Sequence, residues 1–286
     1  MTVAILGAGW IGLPLGRVLA EAGHTVHAAT TTPAKLFDLR ESGLAPFLLV
    51  VTPAGLDGDD ARYFFEADAL VLTLPPGRGD AEAVRQYPQR IELALRHARR
   101  AGVAHVVYTS STSVYPDLEG APVLTETDAG HPSDARLRAS GRACLRAERL
   151  VQDAAQAVSS PAATVVRLAG LYGPGRSPTR YLAGRTGLTG GDKPVNLVHR
   201  DDVVAAIRRV LDERIAGTFN LVADEHPTRR DYHTAAARAL GFVPPVFAPD
   251  SSPVVGKRVS NARAKDVLGL TFRPLDPRRQ AEDTAA

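Results

Sequence analysis

Three glycines near the start of the chain, Gly7, Gly9 and Gly12, have the spacing G-x-G-x-x-G. This spacing lets the backbone turn tightly at the first glycine, approach a phosphate closely at the second, and pack a helix on a strand at the third. The N–H groups at the start of that helix face the bound anion. The pattern therefore predicts that the chain binds a dinucleotide by its pyrophosphate, and we expect Trp10 and Ile11 to belong to the same site.

The segments on either side of these glycines are the ones that such a site requires. Residues 3–6 are a short apolar run that predicts a buried parallel strand. Apolar residues at helical spacing follow Gly12 as far as Gly23, a residue suited to end a helix. A strand, a glycine turn and a helix in this order are typical of a dinucleotide site. The alternative is an ordinary strand-to-helix turn that binds no ligand.

Three threonines, Thr30, Thr31 and Thr32, stand at the end of the second predicted strand, residues 25–30. NAD-binding proteins of this class usually hold the ribose 2′-hydroxyl with an acidic residue about twenty positions beyond the glycines. A carboxylate there would repel a 2′-phosphate, whereas hydroxyls and the nearby Lys35 can bind one. The sequence therefore favours NADP as cofactor, with NAD as the alternative. The threonines can also simply cap the helix predicted at 33–41.

Strands and helices alternate through the first hundred residues. Further strands are predicted at 47–51, 69–74 and 103–108, and a helix at 88–100. This alternation predicts an α/β fold with a doubly wound parallel sheet of the Rossmann type. Leu74 and Pro75 open a sharp break at the carboxyl end of a central strand, where such sheets bind ligands, so both are predicted to contact the cofactor.

Composition argues against several classes of protein. The 286 residues carry a formal net charge of +3, only four are lysines, and the arginines are scattered among acids, so no nucleic-acid surface is expected. No apolar run reaches the roughly 18 residues of a membrane span, and no secretory leader is apparent, which predicts a soluble, cytoplasmic protein without a membrane partner. The single cysteine, Cys144, excludes an intrachain disulfide, and no metal-ligand spacing is present.

Five further motifs follow in order along the chain. They are TSSTSVYP at 109–116 with TE at 125–126, RLAGLYGPGR at 167–176, NLVHRDDV at 196–203, GTFNL at 217–221 and VSNAR at 259–263. This set resembles the extended short-chain dehydrogenases/reductases, the group that includes NAD-dependent epimerases and dehydratases of nucleotide sugars. The resemblance covers nearly the whole chain. It implies a Rossmann fold with a small C-terminal substrate lobe, a nicotinamide cofactor, a small-molecule substrate and a homodimer.

The resemblance fails at the pair of residues that performs the family's reaction. The family uses a tyrosine as acid and base, and a lysine four residues later lowers the tyrosine's pKa and holds the nicotinamide ribose. Ser140 and Cys144 stand at these places, and none of the seven tyrosines is followed by a lysine at that spacing. Because a serine hydroxyl is a far weaker acid than a phenol of pKa about 10, Ser140 does not replace the tyrosine. The chain resembles an atypical branch of the family.

Two residues remain as candidates for catalysis. Ser111 aligns with the family serine that hydrogen-bonds the substrate at the nicotinamide, although it can equally cap the end of a strand. Tyr172 is predicted to end the sixth strand at the cleft, and Arg176, four residues later, is a cation that would lower its pKa. The alternative for Tyr172 is a structural loop tyrosine, as in ordinary members of the family.

Two functions are compatible with these features. We expect a Rossmann domain over residues 1–162, the last sheet strands and a small substrate-binding lobe over 163–275, and a tail over 276–286. The first function is an NAD(P)-dependent oxidoreductase or epimerase/dehydratase that acts on a small polar or nucleotide-linked molecule. The second is a non-enzymatic NADP(H)-binding protein that senses redox state or scaffolds a partner. Intact glycines with a lost catalytic pair fit both.

Overall fold

The computed structural model describes residues 1–58, 61–77, 80–156, 162–250 and 252–276. The strands in chain order are β1 Thr2–Leu6, β2 Thr25–Thr30, β3 Ala45–Leu48, β4 Val50–Thr52, β5 Gly55–Asp57, β6 Ala69–Leu72, β7 His105–Ser111, β8 Leu118–Glu119, β9 Val123–Leu124, β10 Ala162–Leu168, β11 Gly170–Tyr172, β12 Leu197–His199, β13 Gly217–Leu221, β14 Val255–Gly256 and β15 Arg258–Val259. The α-helices are α1 Gly12–Glu21, α2 Lys35–Glu41, α3 Ala61–Phe64, α4 Ala81–Arg100, α5 Ala139–Gln156, α6 Arg200–Glu213, α7 Arg229–Ala239 and α8 Ala262–Leu268.

The centre of the fold is a parallel sheet with the strand order β13-β10-β7-β6-β1-β2-β3, seven strands within the described residues. β1 lies between β2 and β6 and is almost completely buried, as its apolar sequence predicts. The chain proceeds from β1 towards one edge of the sheet and from β6 towards the other. Right-handed crossovers therefore put the first helix on one face and α4 and α5 on the other. This is the doubly wound Rossmann architecture predicted from the sequence.

The strand order reverses at β1 and β6, and this position decides where a ligand can bind. In open α/β sheets, ligands bind outside the carboxyl ends of the strands where the order reverses, because the loops diverge there and leave a crevice. The glycine loop follows β1, and the loop that contains Leu74 follows β6. The fold thus brings two sequence segments that were predicted to bind the cofactor to the same crevice.

A buried polar network attaches α5 to the sheet. The guanidinium group of Arg167 on β10 forms two hydrogen bonds with the carboxylate of Glu148 on α5, at 2.8 and 3.1 Å. Ser110 on β7 donates its hydroxyl to the same carboxylate at 2.5 Å. A further Arg167 N–H donates to the hydroxyl of Tyr115, which in turn donates to Asn220 on β13. Each of these polar groups has a hydrogen-bond partner, so the buried charges of Arg167 and Glu148 are compensated near the ends of β7, β10 and β13.

The described residues 170–199, 223–250 and 252–259 lie outside the central sheet, and we call them the second lobe. Its small core contains buried apolar side chains from three segments, Tyr172, Val195, Leu197 and Tyr232. β11 pairs with β12 in parallel, and α7 is capped by Thr228, whose hydroxyl accepts a hydrogen bond from the backbone N–H of Asp231. The lobe's other strands, β14 and β15, pair with β8 and β9, which follow β7, so short strand pairs outside the central sheet join the lobe to the rest of the protein.

Several predicted elements have different bounds in the structure. The strand expected at 69–74 ends at Leu72, the strand expected at 103–108 covers His105–Ser111, the helix expected at 33–41 begins at Lys35, and three others differ more. The strand expected at 47–51 is divided, with β3 in the sheet and β4 in a hairpin with β5, because the Thr52 side chain bonds both backbone groups of Gly55 and closes a turn. The helix expected at 88–100 begins at Ala81, because the Asp80 carboxylate caps its first N–H groups. The sixth strand ends at Leu168, so Tyr172 lies on the separate strand β11. Two predictions were exact or nearly so, residues 25–30 for β2 and 3–6 for β1.

The predicted tail, 276–286, lies outside the described residues except for Asp276. Within the part of the chain that the structure describes, no helix combines the length and the apolar character that a membrane span requires.

Candidate functional site

The glycine loop contains two glycines that the packing of the protein itself requires. Gly7 has φ +110°, and a Cβ atom there would lie 2.8 Å from the hydroxyl of Thr73. A Cβ atom on Gly12 would lie only 2.3 Å from the carbonyl oxygen of Gly7. Thr73 fixes this turn, since its hydroxyl is 2.7 Å from the Gly7 oxygen. Side chains are excluded at Gly7 and Gly12 by contacts within the fold.

Gly9 is different from the other two glycines. It is exposed, has no positive φ, and a Cβ atom added to it would meet no atom closer than 4.0 Å. Nothing within the described fold therefore requires a glycine at this position. A ligand that approaches the backbone closely would require one, because a Cβ atom would occupy the space that the ligand needs.

The start of α1 offers unused donors beside Gly9. Within the described residues, the backbone N–H groups of Trp10 and Ile11 donate to no acceptor. The first turn of the helix has no acidic side chain that could neutralise its positive end. N–H groups and a helix dipole that converge in this way bind phosphate. These residues fit the pyrophosphate of a dinucleotide.

The side chain of Trp10 connects the glycine loop with the second lobe. Its indole N–H donates to the carbonyl oxygen of Pro174 at 2.9 Å. The guanidinium carbon of Arg176 lies 4.9 Å from the centre of the indole ring, and that of Arg200, at the start of α6, lies 5.5 Å from it. At these distances both cations interact favourably with the aromatic ring. Trp10 is thus enclosed by the loop that follows β11 and by the first residue of α6.

Sequence reasoning missed Arg200. The signal was present in the motif NLVHRDDV, because the corresponding family motif has valine where this chain has Arg200.

The three threonines lie at the carboxyl end of β2, as their positions predict. Thr30 is buried, and its hydroxyl accepts a hydrogen bond from the backbone N–H of Thr32 at 3.2 Å. Thr31 and Thr32 are exposed, and so is Lys35 at the start of α2. Two hydroxyls and one ammonium group are therefore available to a ligand at this end of β2.

Leu74 and Pro75 lie just beyond β6, on the other side of β1 from the threonines. Leu74 is half-buried, and its carbonyl oxygen accepts a hydrogen bond from the hydroxyl of Tyr87 at 2.9 Å. Pro75 is exposed. The Tyr87 side chain is fully buried, so it fixes the backbone at Leu74 from inside the protein.

Ser111 ends β7 and caps the short 3-10 helix Thr112–Val114. Its hydroxyl oxygen accepts a hydrogen bond from the backbone N–H of Ser113 at 3.1 Å. The capping alternative considered for this serine is therefore present in the structure. A hydroxyl that accepts one bond retains its own proton to donate, so capping does not prevent Ser111 from orienting a substrate oxygen.

The two residues at the places of the family's tyrosine and lysine lie on the first turns of α5. Ser140 is half-buried, whereas Cys144 is 2% exposed. Burial raises the pKa of the Cys144 thiol to about 12, so the side chain is neutral at physiological pH. The helix approaches the 3-10 helix closely, because a Cβ atom on Gly141 would lie 2.2 Å from the Ser113 carbonyl oxygen. The side chain at the lysine's place therefore carries no charge.

Tyr172 is 3% exposed and belongs to the core of the second lobe. It pairs with His199 in the register of β11 and β12, and the two rings pack edge to face with their centres 5.1 Å apart. The guanidinium carbon of Arg176, the cation expected to lower the pKa of Tyr172, lies 4.9 Å from the centre of the Trp10 ring. The structure thus places Tyr172 beside the cleft loop but among buried side chains.

Comparisons with known proteins agree with this fold. A model of the "NAD dependent epimerase/dehydratase family" matches residues 91–221. Protein YeeZ of Escherichia coli K12 is 35% identical over 280 residues, which cover 96% of this chain and 97% of YeeZ. Among solved structures, a conserved protein of unknown function from Silicibacter pomeroyi is 26% identical, with a TM-score of 0.71 and coverage of 98% of this chain and 96% of that protein.

Structures with bound ligands are also similar in fold. MoeE5 in complex with UDP-glucuronic acid and NAD is 22% identical, with a TM-score of 0.78 and coverage of 99% and 97% of the two chains. UDP-glucose 4-epimerase from Thermotoga maritima with UDP-glucose is 18% identical, with a TM-score of 0.78 and coverage of 99% and 98%. The family predicted from the sequence motifs is confirmed. The chain belongs to the NAD dependent epimerase/dehydratase family, within the extended short-chain dehydrogenases/reductases.

Proposed function

We propose that the chain binds a nicotinamide dinucleotide and transfers hydride between that cofactor and a small polar or nucleotide-linked substrate. The observation that carries the first part of the proposal is the open face of Gly9 beside the unused N–H groups of Trp10 and Ile11. The fold accounts for Gly7 and Gly12 without a ligand, but it does not account for Gly9. A pyrophosphate on the start of α1 explains all three glycines.

We further propose a preference for NADP(H). The hydroxyls of Thr31 and Thr32 and the ammonium group of Lys35 are exposed near the end of β2, where the adenosine ribose lies in proteins of this class. These groups can donate hydrogen bonds to a 2′-phosphate. The NAD in the complex of MoeE5 supports the binding of a dinucleotide by this fold, but it gives no support for a 2′-phosphate.

When bound, the nicotinamide supplies a hydride acceptor or donor at its C4 atom. Ser111 is proposed to orient the substrate by donating its hydroxyl proton to the reacting oxygen. Tyr172 is proposed to exchange a proton with that oxygen, in place of the tyrosine that is missing from α5. The UDP-sugars in the structures of MoeE5 and of the Thermotoga maritima epimerase support a substrate with several hydroxyl groups, free or linked to a nucleotide.

A second function is favoured by one observation. Cys144, at the place of the catalytic lysine, is a buried neutral thiol, so the electrostatic help that the family's tyrosine receives is missing. A protein that binds NADP(H) without turnover, as a redox sensor or a scaffold, would retain the glycine loop and lose that pair.

Titration of the purified protein with NADPH and NADH tests the cofactor proposal. Trp10 is the only tryptophan and lies in the glycine loop, so energy transfer from its indole to the dihydronicotinamide reports binding directly. We expect saturable transfer and tighter binding of NADPH than of NADH. If neither dinucleotide saturates the signal, the cofactor proposal is wrong. A variant with a carboxylate at the ribose end, T31D, should reverse the preference, with T127D on a distant exposed turn as its control.

A screen for consumption of NADPH then separates the two functions. The panel contains UDP-sugars, free sugars, keto acids and quinones, and the protein is used at a concentration that gives saturated cofactor. Turnover with a member of the panel supports the oxidoreductase. Binding of NADPH without turnover across the panel supports the sensor or scaffold.

A further inference from the structure

We propose that Arg176 and Arg200 bind the pyrophosphate of the dinucleotide together with the glycine loop. This inference rests on the proposed cofactor. It adds to that site two side chains from parts of the chain far beyond the first strand and helix.

The position of the two guanidinium groups is the first argument. The guanidinium carbons of Arg176 and Arg200 lie 4.9 and 5.5 Å from the centre of the Trp10 indole ring. The backbone N–H of the same residue is one of the two unused donors at the start of α1. The guanidinium groups therefore lie against the side chain of a residue whose backbone N–H is free to bind a pyrophosphate.

The way in which the arginines are held is the second argument. Arg176 closes a tight turn with Gly173, in which two backbone hydrogen bonds of 2.8 and 3.1 Å join the two residues. Arg200 is the first residue of α6, which packs against α1. A guanidinium group that lies near an aromatic ring keeps N–H groups at its edge for a phosphate. Both arginines are thus preorganised, so little side-chain entropy is lost when an anion binds.

The local balance of charge is the third argument. The guanidinium groups of Arg200 and Arg273 lie near the carboxylate of Asp201, and that of Arg273 also lies 3.6 Å from the carboxylate of Asp202. Asp201 is shared, since it lies 3.2 Å from Arg200 and 3.0 Å from Arg273. The first turn of α1 has no acidic side chain, so the positive end of this helix is not neutralised by the helix itself. A pyrophosphate brings two negative charges that would offset it.

The alternative is that the two arginines only hold the second lobe against the glycine loop through Trp10. The two possibilities predict different salt dependence. A guanidinium group that contacts a phosphate makes affinity fall as salt rises, because the ions screen the attraction. Removal of a guanidinium group that only packs on the indole ring leaves the salt dependence of affinity unchanged.

Isothermal titration calorimetry with NADPH and with NADH, each at several salt concentrations, tests the proposal. We expect R176Q and R200Q each to weaken the binding of both dinucleotides about tenfold, since a charged hydrogen bond contributes at least that much. The loss should be equal for NADPH and NADH, which share the pyrophosphate, and affinity in the variants should depend less on salt. R200K, which retains the charge, should recover part of the affinity. The control R185Q removes an exposed arginine of the second lobe and should bind as the original protein does.

Three results would overturn the inference. The first is unchanged affinity in the double variant R176Q/R200Q. The second is a loss of affinity for NADPH alone, which would assign the arginines to the 2′-phosphate. The third is a loss of affinity whose salt dependence is unaltered, which would assign the arginines to packing. Thermal unfolding of each variant identifies any that does not fold, and R176K and R200K then provide the comparison. If the original protein binds neither dinucleotide, the proposed function fails and not only this inference.

Discussion

The indole N–H of Trp10 donates a hydrogen bond to the carbonyl oxygen of Pro174 across 164 positions of sequence. The bond joins the loop that follows the first strand to the loop that follows β11. A ligand that orders the backbone of Trp10 therefore also affects the position of the second lobe.

Gly9→Ala should separate binding from folding. A Cβ atom at this position meets nothing within the fold, so the free energy of unfolding should remain within about 0.5 kcal/mol of that of the original protein. The same atom would intrude on the pyrophosphate, so binding of NADPH should fall beyond detection. Urea unfolding and the Trp10 titration measure the two effects. The matched control is Gly12→Ala, which should lower the free energy of unfolding because its Cβ atom would lie 2.3 Å from the Gly7 oxygen.

Tyr172→Phe should lower kcat of the NADPH-consuming reaction about a hundredfold or more, since general acid–base catalysis contributes at least that factor. Affinity for NADPH should not change, because the ring and its packing against His199 are retained. The measurement requires a substrate from the screen. Tyr181→Phe, on an exposed side chain, is the control. Full activity in Tyr172→Phe would exclude this tyrosine as the proton donor.

Glu148→Gln should be strongly destabilising. Its carboxylate is 4% exposed and is paired with the guanidinium group of Arg167, itself 6% exposed. Removal of one partner leaves a buried charge without compensation, which costs about 3–5 kcal/mol of the free energy of unfolding. Replacement of both residues in E148L/R167M should cost less than the single change. A double variant that is less stable than Glu148→Gln would contradict this account.

Acid should destabilise the protein through two buried histidines. Burial, aided by a nearby arginine, lowers the pKa of His105 and that of His233 to about 4. The unfolded chain takes up these protons near pH 6.5, whereas the folded protein resists them, so stability is complete above that pH and falls as the pH decreases towards 4. Each histidine contributes about 3 kcal/mol to this loss.

Urea unfolding between pH 4 and 7 measures how steeply the free energy of unfolding changes with pH. H105Q and H233Q should each flatten it, whereas H131Q removes an exposed histidine and should leave it as it is. A slope that persists in the double variant H105Q/H233Q would mean that carboxyl groups cause the acid instability.

Local sequence patterns predicted the elements whose residues lie close together in the chain. The strand before Gly7 and the helix after it follow from apolar periodicity and from the glycines. Contacts between distant segments could not be predicted in this way. The position of Arg200 next to Trp10 joins residues 190 positions apart, and no periodicity encodes it.

Loop chemistry caused the errors in element bounds. A proline favours the start of a helix and so predicts one from Pro88, but the Asp80 carboxylate accepts hydrogen bonds from the N–H groups of the first turn, so α4 begins at Ala81 and includes the proline. The sequence predicts Tyr172 at the end of a sheet strand, but β10 ends at Leu168 and the chain then forms β11, which pairs with β12 outside the central sheet. The roles of Ser111 and Tyr172 in catalysis stay predictions, because they depend on a substrate and not on the fold.

The strand order of the sheet has a consequence for how the chain is made. β10 and β13, residues 162–168 and 217–221, complete an edge of a sheet that begins with residues 2–6. While the ribosome is still adding residues, β7 exposes an unpaired edge until β10 emerges, and β10 does so until β13 emerges. Unpaired edges invite association with other chains. The described residues before β10 therefore contain five of the seven strands of the sheet, and the edge of β7 stays unpaired until β10 joins it.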